Sequence, residues 1–118
     1  RNVLHNDALY AFSSLKNYMY YAIGDTVWRI DLSQEPVKEE LQFTLSGEKI
    51  TCLKFNLYQN AENAQRSYDL LVGTVSGSEG RLRIYEDAAS DGDFSKVEPV
   101  VYDGFAKIKD ITYKERIY

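Results

Sequence analysis

Apolar and polar positions alternate with a period of two along much of this chain, in short runs broken by turn residues. Residues 26–32 (TVWRIDL) put Trp28, Ile30 and Leu32 on one face and Val27, Arg29 and Asp31 on the other, the signature of a half-buried strand. Residues 68–85 (YDLLVGTVSGSEGRLRIY) hold an apolar run at 70–75 and then Leu82 and Ile84 alternating with Arg81 and Arg83. The Gly-rich stretch 76–80 between them supplies the positive φ angles of a tight connection, so a β-hairpin is predicted. Residues 18–23 (YMYYAI) are apolar on both faces, as in a strand covered on both sides. Further strands are predicted at 8–15, at 37–45 (more polar and so more exposed), at 50–57, at 94–102 and at 106–113. Turns fall at 24–25, 46–48 and 103–104, and an acidic loop at 87–93. The polar, Ala-containing stretch 58–67 (YQNAENAQRS) reads as a surface loop or one helical turn.

The strands come in two similar passes. Tyr18–Ala22 matches Asp69–Gly73 at a shift of 51 positions, and Trp28-Arg29-Ile30 matches Leu82-Arg83-Ile84 at a shift of 54. Ile50, Leu53 and Phe55 match Ile108, Ile111 and Tyr113 at a shift of 58, the drift falling in turns, where insertions are tolerated. A four-stranded unit recurring about every 50 residues has the period of a propeller blade. The predicted fold is therefore all-β: antiparallel four-stranded blade-like sheets, a partial β-propeller, with units at 8–45 and 49–102 and an extra strand at 107–113. A propeller closes with at least about four blades, so this chain falls short of a ring. The alternative arrangement of the same strands is a compact β-sandwich.

Composition narrows the chemistry. At 118 residues the chain holds one domain's worth of material, and a hydrophobic fraction of 44% is globular. Ten Tyr raise the aromatic content to 14%, which suits strands and half-wet packing positions. Fourteen basic against eighteen acidic residues give a net charge of −4, with no basic run, so a nucleic-acid partner is excluded. No apolar stretch approaches the ~20 residues that span a bilayer as a helix, so no direct membrane insertion by this segment is expected. The chain opens at Arg1 without an initiator Met and is expected to be a mature product or a fragment.

Few residues invite catalysis. Cys52 stands alone in an apolar run and reads as a small core residue; His5 stands alone in a polar lead-in. Neither a zinc site nor a Cys–His pair can be assembled from them. No nucleotide-binding or nucleophile-elbow fingerprint is present, and no cofactor is expected. Glu86, Asp87, Asp91 and Asp93 gather around Gly92 but lack the spacing of a calcium loop, and a solvated acidic turn is predicted. Exposed aromatics are the remaining signal for a ligand platform. Tyr58, beside the polar stretch, and Trp28 are the candidates; the other strand Tyr residues fit packing positions better.

Two segments resemble a known family. LLVGTVSGSEGRLRIYE (70–86) and VVYDGFAKIKDITYKER (100–116) look like the C-terminus of the PKD-like lipoproteins, large surface proteins of Gram-negative gut bacteria, and YYAIGDTVWRIDL (20–32) fits their blade-like repeats. The resemblance covers roughly residues 8–116. It implies an extracytoplasmic protein at the cell surface or outer membrane, anchored through a parent lipoprotein, with a propeller-like region and no catalytic residues to carry over. A lipobox cysteine and upstream modules are not in this sequence, and Cys52 is no lipidation site. The expected function is a non-catalytic structural or interaction module that binds a glycan, a peptide or an envelope protein. The alternative is part of a polysaccharide-degrading enzyme. Self-association, or contact with the rest of a parent protein, is expected because a slab of blades leaves apolar faces at both ends.

Overall fold

A computed structural model of the chain describes residues 9–12, 17–59, 66–87 and 91–105. Among them are eight strands and no helix: β1 (Leu9–Phe12), β2 (Tyr18–Ile23), β3 (Thr26–Asp31), β4 (Lys38–Thr44), β5 (Lys49–Gln59), β6 (Arg66–Ser76), β7 (Glu79–Asp87) and β8 (Val100–Phe105). They form two four-stranded antiparallel sheets, each a meander in chain order: β1-β2-β3-β4 and β5-β6-β7-β8. The fold is all-β, an arrangement consistent with a β-sandwich. The first sheet is built from residues 9–44 and the second from residues 49–105.

The sheets pack face to face around one core. From the first sheet Tyr20, Ala22 and Val27 point inward; from the second, Ile50, Leu70, Val72 and Tyr85 meet them, with Leu9, Phe43, Leu53 and Phe55 packed alongside. The gap is wedge-shaped. Between the sheets, approaches of Cα atoms within 8 Å concentrate on β1, β2 and β5, closer than the ~10 Å usual for stacked sheets. On this near side Tyr20 of β2 stacks on Phe55 of β5 with centroids 5.3 Å apart, and toward the other edge Phe43 stacks on Tyr85 at 4.3 Å.

Both sheets also point the same way. β2 and β3 are joined by Gly24-Asp25, β6 and β7 by Gly77-Ser78, two-residue turns whose glycines sit at φ +62° and +61°. That backbone matches the strands' twist and suits glycine best. Leu45 N–H donates to the Asp25 carbonyl and Ile50 N–H to the Gly24 carbonyl, so the linker into β5 runs along the first turn. Lys49 lies opposite Val75, next to the second turn, and Leu9 lies opposite Ala22, next to the first. β1 and β5 therefore start at the same end of the slab and run in parallel directions.

When the two turns are superposed, Tyr20 and Ala22 fall on Gly73 and Val75, and Val27 and Arg29 fall on Gly80 and Leu82. The first set of each pair faces the inter-sheet core. The second shares a face with Cys52, Leu71 and Ile84, which cluster on the far side of the second sheet. The sheets are thus stacked front to back, not front to front.

Three predicted elements change. The stretch 58–67 is not a loop throughout: β5 continues to Gln59 and β6 begins at Arg66, with Tyr58 opposite Ser67. Ladder bonds come from the backbone, so polar side chains do not end a strand whose partner continues. The predicted strand at 94–102 is a loop as far as Pro99, and β8 starts only at Val100. Pro99 cannot donate to a ladder, and Phe94 has another role, described below. Asp103-Gly104 is not a turn but a register shift inside β8, opposite the interval from Gly80 to Leu82. The predicted strand at 106–113, the N-terminal residues before Leu9 and the end of the strand predicted at 8–15 lie outside the described residues.

Candidate functional site

The loop 91–99 connects β7 to β8 and is built around its own carboxylates. Asp87, buried at the end of β7, accepts from the N–H of Gly92 at 2.7 Å and from that of Asp91 at 3.3 Å. Asp91 accepts from the Asp93 N–H at 3.0 Å, and Asp93 from the N–H and hydroxyl of Ser95 at 3.0 and 2.7 Å. Those bonds from Ser95 hold the Asp93 carboxyl below its usual range. Of the four acids predicted as a solvated turn, Asp87, Asp91 and Asp93 are therefore engaged in shaping the loop, and Asp87 is not solvated.

The loop's purpose in the fold is Phe94. Its ring is wholly buried and meets Tyr20, Phe55 and Tyr85 edge-on, with centroids 5.5, 6.2 and 6.5 Å away. First-sheet groups hold the loop in place. The Phe94 N–H donates to Gln42 Oε1 at 2.7 Å, and the Tyr20 hydroxyl donates to the Gly92 carbonyl. Gln42 faces the core because β4 bulges there: Phe43 opposes Val27 and Leu41 opposes Trp28, leaving one extra residue between them. Gly92 has φ +76°, and a Cβ on it would lie 2.5 Å from the Tyr18 ring. Burial pushes the Tyr20 phenol's pKa up strongly.

Two charged groups bracket the inter-sheet core. On the first sheet, Arg29 bonds Glu40 at 3.2 Å, lies 4.4 Å from the centre of the Tyr18 ring and reaches the Asp91 carbonyl at 3.4 Å. Burial works against the Arg29 cation, but the charge and hydrogen bond of Glu40 together with the neighbouring Tyr18 and Tyr20 outweigh it, so its pKa is raised. On the second sheet, Arg83 forms a two-pronged pair with Glu48, both bonds 2.7 Å, and Arg81 approaches the same carboxylate at 3.4 Å. Thr74 donates to Glu48 as well, at 2.7 Å. Hydrogen bonds from Arg83, opposed by burial, hold the Glu48 carboxyl down to about 2. A carboxylate so committed stays ionised at neutral pH and is a poor proton donor.

An open cleft of about 520 Å³ lies at the turn end, between the turn at Gly24-Asp25, the linker at Gly47-Glu48-Lys49 and the turn at Ser76-Gly77. Asp25, Glu48, Lys49, Val75 and Ser76 line it together with three glycines, Gly24, Gly47 and Gly77.

The predicted platform residues separate. Trp28 lies on the outer face of the first sheet, half-buried, its ring 6.5 Å from that of Tyr21 and its indole N–H donating to Thr26 at 3.2 Å. Tyr10 flanks Tyr21 on the other side at 6.1 Å. Tyr58 is in β5, but its side chain is outside what is described. Cys52 is buried on the outer face of the second sheet, and His5 lies outside the described residues. Sequence reasoning missed Glu48, Gln42, Asp87 and Phe94 as cross-connections. The one available signal was the alternation of Arg81 and Arg83 along a strand whose intervening residue, Leu82, is apolar. It puts two cations on one face and requires an acid opposite.

Comparison with protein-family models, with curated proteins and with solved structures finds no match.

Proposed function

We propose that this chain is a pair of consecutive blade-like units from a propeller-like array, serving as a non-catalytic interaction module of an extracytoplasmic surface lipoprotein of the PKD-like kind. The observation that carries the reading is the stacking: same direction, front to back, closest at the first strand of each sheet. Blades radiating from an axis have this relation, with the first strands innermost. A sandwich related by a two-fold axis would bring equivalent faces together instead. Three buried or half-buried charged groups among the described residues are tied into the frame: Glu48 by Arg83 and Arg81, Arg29 by Glu40, Asp87 by the loop. That leaves surface recognition as the better-supported role, with the turn-end cleft as the place for an extended polar ligand, a glycan or a peptide.

The test is binding without turnover. The chain is expected to retain glycans of the bacterial envelope or of host mucus on an array while releasing no reducing sugar from them over hours. Released reducing sugar would replace this reading with the polysaccharide-degrading one. Retention that persists when Asp25 and Lys49 are both changed to Ala would move the ligand away from the cleft.

A further inference from the structure

The front-to-back relation has a consequence for the two outer faces. Each sheet has a front and a back. Among the described residues the internal interface takes the front of the first sheet and the back of the second, and no other described strand packs on the back of the first or the front of the second. These are the two surface types that already meet inside the chain. Both carry apolar clusters: Met19, Tyr21 and Ile30 with Tyr10, Trp28 and Val37 on the first, Cys52, Leu71 and Ile84 with Leu82 on the second. The centres of these clusters are buried, and apolar side chains open to solvent lie at their margins. On the first sheet Ile23 and Leu41 (47% exposed) flank Trp28. On the second, Val100 and Tyr102 (49% exposed) pair with Ile84 and Leu82 on that face.

We infer that the outer face of the first sheet, at Ile23, Trp28 and Leu41, docks on the outer face of the second sheet of another copy of this chain, at Leu82, Val100 and Tyr102, repeating the internal stacking. The inference rests on reading the two sheets as consecutive units of one array. The occupant is a second copy because each copy presents both halves of the joint, and the joint continues an interface whose sense the chain already fixes. An interface of this head-to-tail kind closes into a ring or runs on as a filament. With propellers of about four to eight blades and two per copy, a ring holds about two to four copies. A symmetric face-to-face dimer is not what this geometry builds.

The experiment uses two variants at exposed positions, Leu41→Arg on one face and Tyr102→Arg on the other, with circular dichroism and melting temperature to check that each folds as the parent does. Mass is read by light scattering after size-exclusion chromatography. The parent chain is expected to run as two or more copies and each variant alone at 13.6 kDa, since every joint in either sample contains one spoiled half. Mixed in equal amounts, the variants retain one intact joint and are expected to form a 1:1 pair of twice that mass. A parent that stays at 13.6 kDa at millimolar concentration overturns the inference, and so does either variant alone keeping the parental mass, because a symmetric joint uses only one face. A monomer that still binds envelope glycans would end this inference and leave the module reading standing.

Discussion

Replacing Phe94 by Ala tests whether a loop residue anchors the core shared by the two sheets. The ring is 0% exposed and contacts one aromatic of the first sheet, Tyr20, and two of the second, Phe55 and Tyr85. Removing a fully buried Phe side chain costs about 3–5 kcal/mol, made of lost transfer free energy and the cavity left behind. Each edge-to-face partner adds about 0.5–1.5 kcal/mol beyond area burial, which favours the upper half of that range. The wedge limits collapse. Its far edge is propped open by the Phe43–Tyr85 stack, and the loop backbone is pinned by Gln42 and Asp87, so neighbours cannot easily fill the hole. Against a total stability of about 5–15 kcal/mol for a domain this size, the variant should be marginal. Phe94→Leu keeps most of the volume and should cost about 1–2 kcal/mol. The assay is urea unfolding followed by circular dichroism and Trp28 fluorescence, with the slope compared between variants so that a change in midpoint is read as a change in stability. An exposed loop residue changes stability by no more than about 0.5 kcal/mol on substitution. A loss under about 1 kcal/mol for Phe94→Ala would refute the plug.

Glu48→Gln should cost about 2–3 kcal/mol at pH 7, because it leaves Arg83 without its charge partner at a site where the Glu48 side chain is only 9% exposed. Since the carboxyl is held down to about 2 against an ordinary 4.5, its contribution is complete above 4.5 and lost as pH falls toward 2. The parent–variant gap in urea midpoint should therefore close across that window, and a gap that stays constant down to pH 2 would mean the pair's charge is not what stabilises. Gly92→Ala combines a φ of +76° with a Cβ 2.5 Å from the Tyr18 ring, whereas Gly24→Ala has the φ alone and open space around it. Melting temperatures should fall clearly more for Gly92→Ala than for Gly24→Ala, whose cost is about 1–2 kcal/mol; equal losses would show that the Tyr18 contact is not limiting.

The hairpins were legible because their signals are local. Gly24-Asp25 and the glycine stretch near Gly77 mark turns, and flanking alternation marks strands, so β2, β3, β6 and β7 fall within a few residues of prediction. The apolar run at β2 correctly foretold burial on both faces, with Met19, Tyr20, Tyr21 and Ala22 all buried. What stayed hidden depends on partners distant in sequence. Phe94 belongs to no strand and is core only because Tyr20 and Gln42, far earlier in the chain, accept its loop. Glu48 sits in a turn, where an acid reads as solvated, until β7 brings Arg83 to it. The prediction of a strand at 94–102 failed for the same reason: an isolated apolar residue records burial, not conformation.

Two of the sequence matches on which the expected repeat rests show how far such a match can carry a geometry. A shift of 51 lays Tyr20 on Leu71, an inward residue on an outward one; a shift of 54 lays Arg29 on Arg83, and both of those face the inter-sheet core. The two matches disagree about whether the sheets present like or unlike faces to each other, and a one-residue slip is enough to reverse the answer. Neither hairpin has a bulge between its strands, so a single shift must hold across each turn. The turns supply it: Gly24 on Gly77 is a shift of 53, with nearly equal φ at the two glycines. At that shift every core-facing residue of β2 and β3 falls on an outward position of β6 and β7. Side-chain similarity had tracked hydrophobicity, which is high on both faces of a stacked sheet and so cannot distinguish them. Backbone geometry at the turn can. It is the glycines, not the apolar residues, that fix the stacking sense on which the propeller reading and the head-to-tail joint both depend.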